Sequence, residues 1–345
     1  MTTLEPPRNS VAAPEAGTPA RAEEEAEEER HVAGWRIVAT KELADHVTSI
    51  RFVILVAVVA LAGLAAIHSA SSNILDAASQ ASGTPSLFLY LFTVSPDRVP
   101  AFYEFIGFLG PLLGIALGFD AISSERSQRT LPRLVSQPIH RDDVINGKFV
   151  AGVAAIALAV GTVLAAVAGY GILRLGLVPT GTDLTRLVVF FLVSVVYISL
   201  WLAVAILFST LSRRSSTTIL ATIALWLVMT FFAGLVSGTI ADALHPTTSS
   251  SAPEAVLANA RLDQDIHRIS PDELYEEATQ VLLDPAARTT SSLVASSRLD
   301  QALPSSLSLD ESLALAWWQV VSMAAAAAVI FVAAYLVFLR QEIRA

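Results

Sequence analysis

FDAISSERSQRTLPRLVSQPIHRDDVINGK, residues Phe119 to Lys148, is a polar island between two long apolar runs. It carries Glu125, Arg126, Arg129, Arg133, Arg141, Asp142, Asp143 and Lys148, whereas Phe102–Gly118 before it and Phe149–Leu173 after it hold almost no charge. A charged segment fused at both ends to runs long enough to cross a bilayer reads as a short loop of a membrane protein, and one that meets something outside the lipid.

The composition around the island agrees. Of 345 residues, 54% are hydrophobic and 15% charged, and the mean hydropathy of +0.59 lies far above that of a soluble domain. The net charge is −9, which argues against nucleic acid as a partner. Much of that acid lies in the run EEEAEEER, Glu23–Arg30. The chain has no cysteine, so disulfides, thiolate metal sites and cysteine nucleophiles are excluded.

A helix needs about 20 mainly apolar residues to span the hydrocarbon core. Six stretches qualify, at about 50–69, 102–122, 149–173, 187–208, 217–240 and 317–339. The expected fold is therefore an all-α polytopic membrane protein with the lipid bilayer as its solvent. Residues 1–33, rich in Pro, Ala, Glu and Thr, are expected to be a disordered acidic tail and do not resemble a secretory signal peptide. Residues 34–49 mix Trp35, Ile37 and Val38 with Arg36, Lys41 and Glu42, which suits an interfacial helix or an ordinary solvated linker. Leu87–Val94 is too short to span and is expected to dip into the outer interface.

Basic residues set the orientation. With both termini cytoplasmic, the inner loops and span ends carry Arg36, Lys41, Arg51, Arg126, Arg129, Arg133, Arg141, Lys148, Arg213, Arg214, Arg340 and Arg344, against Arg98, Arg174 and Arg186 in the short outer loops. The polar island is then cytoplasmic, between the second and third spans, and the long segment 241–316 is outside. Within that segment, Ser270-Pro271-Asp272-Glu273 reads as a capping box, and Leu274, Ala278, Val281 and Leu282 make the apolar face of a helix lying at the outer surface.

In the second span Gly110, Gly114 and Gly118 recur every four residues, with Gly107 one turn before them and Pro111 among them. Such a face serves close helix packing, or, with a carbonyl freed by the proline, the lining of a pathway. Chemistry-bearing motifs are missing: there is no phosphate-binding G-x-x-x-x-G-K-[ST], no H-E-x-x-H and no G-x-S-x-G. No catalytic, cofactor or metal residue is assigned, and energy for any transport has to come from another chain.

Across Phe119–Lys148 the sequence resembles the type-2 ABC exporter permeases, of the branch that includes the permease of the nitrous-oxide-reductase maturation transporter. The residues that carry the resemblance are Phe119-Asp120, Ile122-Ser123, Glu125-Arg126, Thr130-Leu131, Leu134, Ser136, Pro138, Arg141 and Gly147-Lys148. It extends through Ile269-Ser270-Pro271 to Leu339-Arg340-Gln341-Glu342-Ile343-Arg344 and covers residues 34–345. Arg129 departs from the pattern, since such permeases usually have glycine there. The resemblance implies a coupling helix between spans 2 and 3, with Glu125, Arg126, Arg129, Thr130 and Leu131 contacting a separate ABC ATPase. It also implies a dimer of permeases, identical or related, working with an ATPase dimer that holds ATP and Mg. The cell membrane is the implied location. The competing reading is a membrane scaffold that transports nothing and binds a partner through 241–316.

Overall fold

The computed structural model describes residues 19–80, 87–95, 99–127, 140–247, 252–284 and 307–340. Every regular element among them is helical. In chain order these are α1 (Pro19–Thr48), α2 (Ile50–Gln80), α3 (Tyr90–Thr93), α4 (Phe102–Gly118), α5 (Ser123–Ser127), α6 (Arg141–Leu175), α7 (Gly181–Leu211) and α8 (Ser215–Leu227). A π turn (Val228–Phe232) joins α8 to α9 (Ala233–Leu244), and α10 (Pro253–His267), α11 (Pro271–Leu283) and α12 (Leu309–Arg340) follow. Six helical stretches are long and apolar enough to cross a membrane: Ile50–Ser69, Phe102–Arg126, Arg141–Leu175, Gly181–Leu211, Ser215–Leu244 and Leu309–Arg340. The protein is an all-α polytopic membrane protein.

Helix α7 is the axis of the bundle. Its start is set locally: Thr180 Oγ1 accepts from the Asp183 amide at 3.2 Å, and Asp183 Oδ2 accepts from the Thr180 amide at 2.9 Å, a reciprocal capping box. The preceding helix α6 stops at Gly176, whose φ of 69° is the left-handed conformation that glycine adopts without penalty. Along α7, Phe190, Tyr197, Trp201, Leu202 and Ala205 are buried, and α4, α6, α11 and α12 pack around them.

The glycines of α4 make this packing possible. A Cβ on Gly114 would lie 2.5 Å from the Ile198 carbonyl oxygen, and one on Gly118 would lie 2.9 Å from that of Leu202. Gly110 faces the Ile198 side chain, and Gly107 faces the ring of Tyr275 on α11. The carbonyl that Pro111 deprives of a helical donor is that of Gly107, and it accepts from the Tyr197 hydroxyl at 2.8 Å. The freed carbonyl therefore holds two spans together rather than lining a pathway.

Four expectations change. The acidic run Glu23–Arg30 lies inside α1, which begins at Pro19, although composition predicts a tail without regular structure there. Alanine, glutamate and arginine are strong helix formers, and the run continues a helix whose later part is packed on α6. Helix α11 does not lie on the surface: Leu274, Tyr275, Ala278, Val281, Leu282 and Leu283 are buried, and it is wedged among α4, α7 and α12. Its start is no capping box, because Ser270 Oγ donates to the Met229 carbonyl at 3.2 Å and Glu273 pairs with His267 at 3.2 Å. The short element α3 is likewise packed inward, with Phe92 edge-on to Phe102 at 5.5 Å.

Arg186, read from the sequence as an outer-loop charge, is 2% exposed. It donates to the Leu282 carbonyl at 2.8 Å, to Ser312 Oγ at 3.0 Å and to the Leu307 carbonyl at 2.8 Å, tying α7 to the end of α11 and the start of α12. Arg186→Lys keeps the charge but cannot present the fork, so a loss of about 2 kcal/mol is expected in unfolding of the purified chain. Unchanged stability would show that these bonds are replaceable.

Candidate functional site

Within the polar island lies α5, five residues long, fastened directly by three other helices and through Lys148 by a fourth. The amides of Ile122 and Ser123 both donate to Ser209 Oγ of α7, each at 3.0 Å, which satisfies N–H groups that a helix start leaves open. Ser123 Oγ lies 2.9 Å from Ser215 Oγ at the start of α8. Arg126 Nη1 donates to the Thr210 carbonyl at 2.9 Å. Glu125 Oε1 meets Lys148 Nζ of α6 at 2.8 Å, and the same ammonium meets Glu42 Oε1 of α1 at 2.9 Å.

The lysine at the centre of this junction is nearly removed from solvent, with its side chain 7% exposed against 15% for Glu125 and 17% for Glu42. Two carboxylates offset the cost of burying one ammonium. Gly147, beside Lys148, lets α1 approach: a Cβ there would lie 2.9 Å from the Trp35 carbonyl oxygen. Next to the triad a cavity of about 230 Å³ is lined by Glu42, His46, Asp120, Ser124, Glu125 and Lys148. Burial holds the His46 imidazole below its ordinary range. Asp120 pairs with Arg51 of α2 at 2.7 Å, and the Arg51 guanidinium lies 5.5 Å from the centre of the Phe119 ring.

Of the residues singled out for coupling, Glu125 and Arg126 are thus brought together in α5, and the anchors just described turn both inward toward other helices. Arg129, Thr130 and Leu131 lie outside the described residues. Gly110, Gly114 and Gly118 face α7, and Gly107 faces α11. Sequence reasoning missed Ser209, Glu42 and the bridging role of Lys148. Lys148 carried a signal, being the last charge of the island and one of two lysines in the chain. Ser209 carried none, since its partners stand 87 and 86 positions away. No group of three or more side chains suited to hold a metal ion occurs among the described residues.

The arrangement is a short polar element bonded directly to α6, α7 and α8, and through Lys148 to α1. No curated protein matches the chain. A family model described as ABC-2 family transporter protein matches residues 36–343. Six spans and a family match over nearly the whole length agree that the chain belongs to the ABC-2 transporter family, as a permease subunit of an ABC transporter that partners an ABC ATPase.

Proposed function

We propose that this permease is the membrane half of an exporter, driven by a separate ATPase that docks on the stretch 119–148. The fastening of α5 to α6, α7 and α8, with α1 joined through Lys148, carries this reading. A push on a five-residue element is transmitted only if that element cannot give way, and α5 is held by a buried ion pair, two serine contacts and an arginine bound to a carbonyl. In this reading Glu125 and Arg126 stiffen the element, and the contacts with the ATPase fall to Arg129, Thr130, Leu131 and the outer surface of α5. ATP and Mg are held by the partner. Two permease copies, identical or related, work with an ATPase dimer in the cell membrane, and the branch of the nitrous-oxide-reductase maturation permease is the one that the island's residues resemble.

Purification of the full chain from its native membrane is expected to bring down a nucleotide-binding subunit, and replacing Arg129 and Thr130 by alanine should weaken that association by about tenfold, as loss of one or two charge-assisted contacts does. A chain that emerges with an outer-face partner and no ATPase would replace this reading by the scaffold one. For orientation, both termini and the α5 end are proposed to be cytoplasmic. In this cysteine-free background, Val256→Cys on the exposed side of α10 should be labelled by an impermeant thiol reagent in intact cells, and Arg213→Cys between α7 and α8 should not. The reverse pattern overturns the orientation.

A further inference from the structure

Near the middle of α7, three elements converge on one phenol. Tyr197 of α7 lies 2.8 Å from the Gly107 carbonyl of α4 and 2.5 Å from Asp272 Oδ1 of α11. Both neighbours accept hydrogen bonds, and a phenol has one hydrogen to give. The Gly107 carbonyl depends on it, because Pro111 has no N–H to return along the helix. The second oxygen of Asp272 is occupied too, by Thr230 Oγ1 of the π turn. The hydrogens suffice for the acceptors only when Asp272 brings one of its own.

We propose that Asp272 is a proton-binding site that latches α11 to α4, α7 and the π turn. With the proton bound, the chain of donors runs from Thr230 to Oδ2, from Oδ1 to the Tyr197 oxygen, and from Tyr197 to the Gly107 carbonyl. When the proton leaves, the tyrosine hydrogen turns to the carboxylate and the Gly107 carbonyl loses its donor inside the bundle. The inference does not depend on coupling to an ATPase.

The surroundings favour the neutral acid. Desolvation raises the Asp272 carboxyl above its usual range, against smaller opposing contributions from Thr230, Tyr197 and His267. The titratable groups around it are Tyr197 from α7, Glu104 from α4, His267 from α10, and Glu273 and Glu276 from α11 itself. α12 faces α11 with the uncharged Gln319, which donates to Glu277, and Glu277 is also held by Arg268. Glu276, raised to about 7 by desolvation and then by Glu273 and Glu104, has to be controlled for. A cavity of about 150 Å³ lined by Phe108, Thr230, His267, Asp272, Glu273 and Glu276 lies against the latch. A carboxyl whose folded value is raised contributes stability at low pH and loses it as pH rises through that value, so the latch loosens on the alkaline side.

The test uses the full chain in lipid nanodiscs. Infrared titration should show a protonated carboxyl band that fades as pH rises, is missing in Asp272→Asn, and survives in Glu273→Gln and Glu276→Gln. In parallel, the cysteine of Ser270→Cys, at the buried start of α11, is labelled with a small thiol reagent. The rate is compared at each pH with the same variant carrying Asp272→Asn, whose amide replaces the acid hydrogen. Without that change, labelling should be about equal on the acid side of the infrared transition and about tenfold faster on its alkaline side, the effect of one lost hydrogen bond. If Asp272→Asn does not fold, Tyr197→Phe serves, and its labelling ratio to the Ser270→Cys parent should approach one on the alkaline side. A band unaltered by Asp272→Asn, or a labelling ratio that does not change with pH, overturns the proposal.

Discussion

Lys148→Met is expected to cost about 3 kcal/mol, because it leaves two mostly buried carboxylates facing each other with only the exposed Lys41, 3.5 Å from Glu42, to offset them. Glu42 and Glu125 approach the same ammonium at 2.9 and 2.8 Å, from α1 and α5 respectively. Their repulsion in the absence of the cation pushes the two helices apart, and with them the packing of α1 along α6. The penalty comes from uncompensated charge rather than from the missing bonds. Adding Glu42→Gln and Glu125→Gln to Lys148→Met should therefore restore most of the stability, since replacing a whole buried ion group is far cheaper than removing one member. Thermal unfolding of the purified full chain in detergent measures both variants. A triple variant no more stable than Lys148→Met would show that the lysine acts through packing and not through charge. In an assembled transporter, Lys148→Met should also lower the work obtained per ATP hydrolysed, and the triple variant should recover the fold without that coupling.

Gly114→Ala is the second large effect, and it comes from one methyl group. The added carbon would sit 2.5 Å from the Ile198 carbonyl oxygen and 3.0 Å from the Leu202 nitrogen, both backbone atoms of the central helix. Backbone in the middle of α7 does not step aside, so α4 and α7 must separate along their contact, at a cost of about 3 kcal/mol, the upper end of what overpacking does. Gly110→Ala offers the comparison: its carbon would meet side-chain atoms, Ile198 Cγ1 at 2.8 Å and Cδ1 at 2.9 Å, and no backbone atom, so a smaller cost of about 1–2 kcal/mol is expected. Gly169 in α6 has nothing within 4 Å of the added carbon, so alanine there should stabilise by about 0.5–1 kcal/mol through helix propensity alone. Unfolding measurements that fail to rank the three substitutions in this order would remove the account of the α4–α7 contact.

The two predictions rest on observations of different legibility. The glycine face of α4 was visible in the sequence, because small residues every fourth position are a local pattern whose use in close helix packing is general. What it packs against was not visible: Gly110, Gly114 and Gly118 meet α7, whereas Gly107 meets α11. The polar island was equally plain, yet a buried ion pair joins Glu125 to the far end of the island and, through Lys148, to Glu42 in a helix that composition left open between an interfacial element and a linker. The start of α11 misled for the same reason. Ser-Pro-Asp-Glu is a local capping signal, but the π turn brings the Met229 carbonyl to Ser270, and α10 brings His267 to Glu273.

What this sequence determined by itself is the number of spans, the helical class and the position of the polar element between the second and third spans, since apolar length and charge contrast are properties of consecutive residues. What only the tertiary structure decided is the partner of each buried polar group: Ser209 for α5, Glu42 for Lys148, Tyr197 for the carbonyl beside Pro111, and three acceptors for Arg186. A buried charge or carbonyl is satisfied by whichever helix comes to lie beside it, and that neighbour is chosen by the packing of whole apolar faces, not by any run of residues around the group itself.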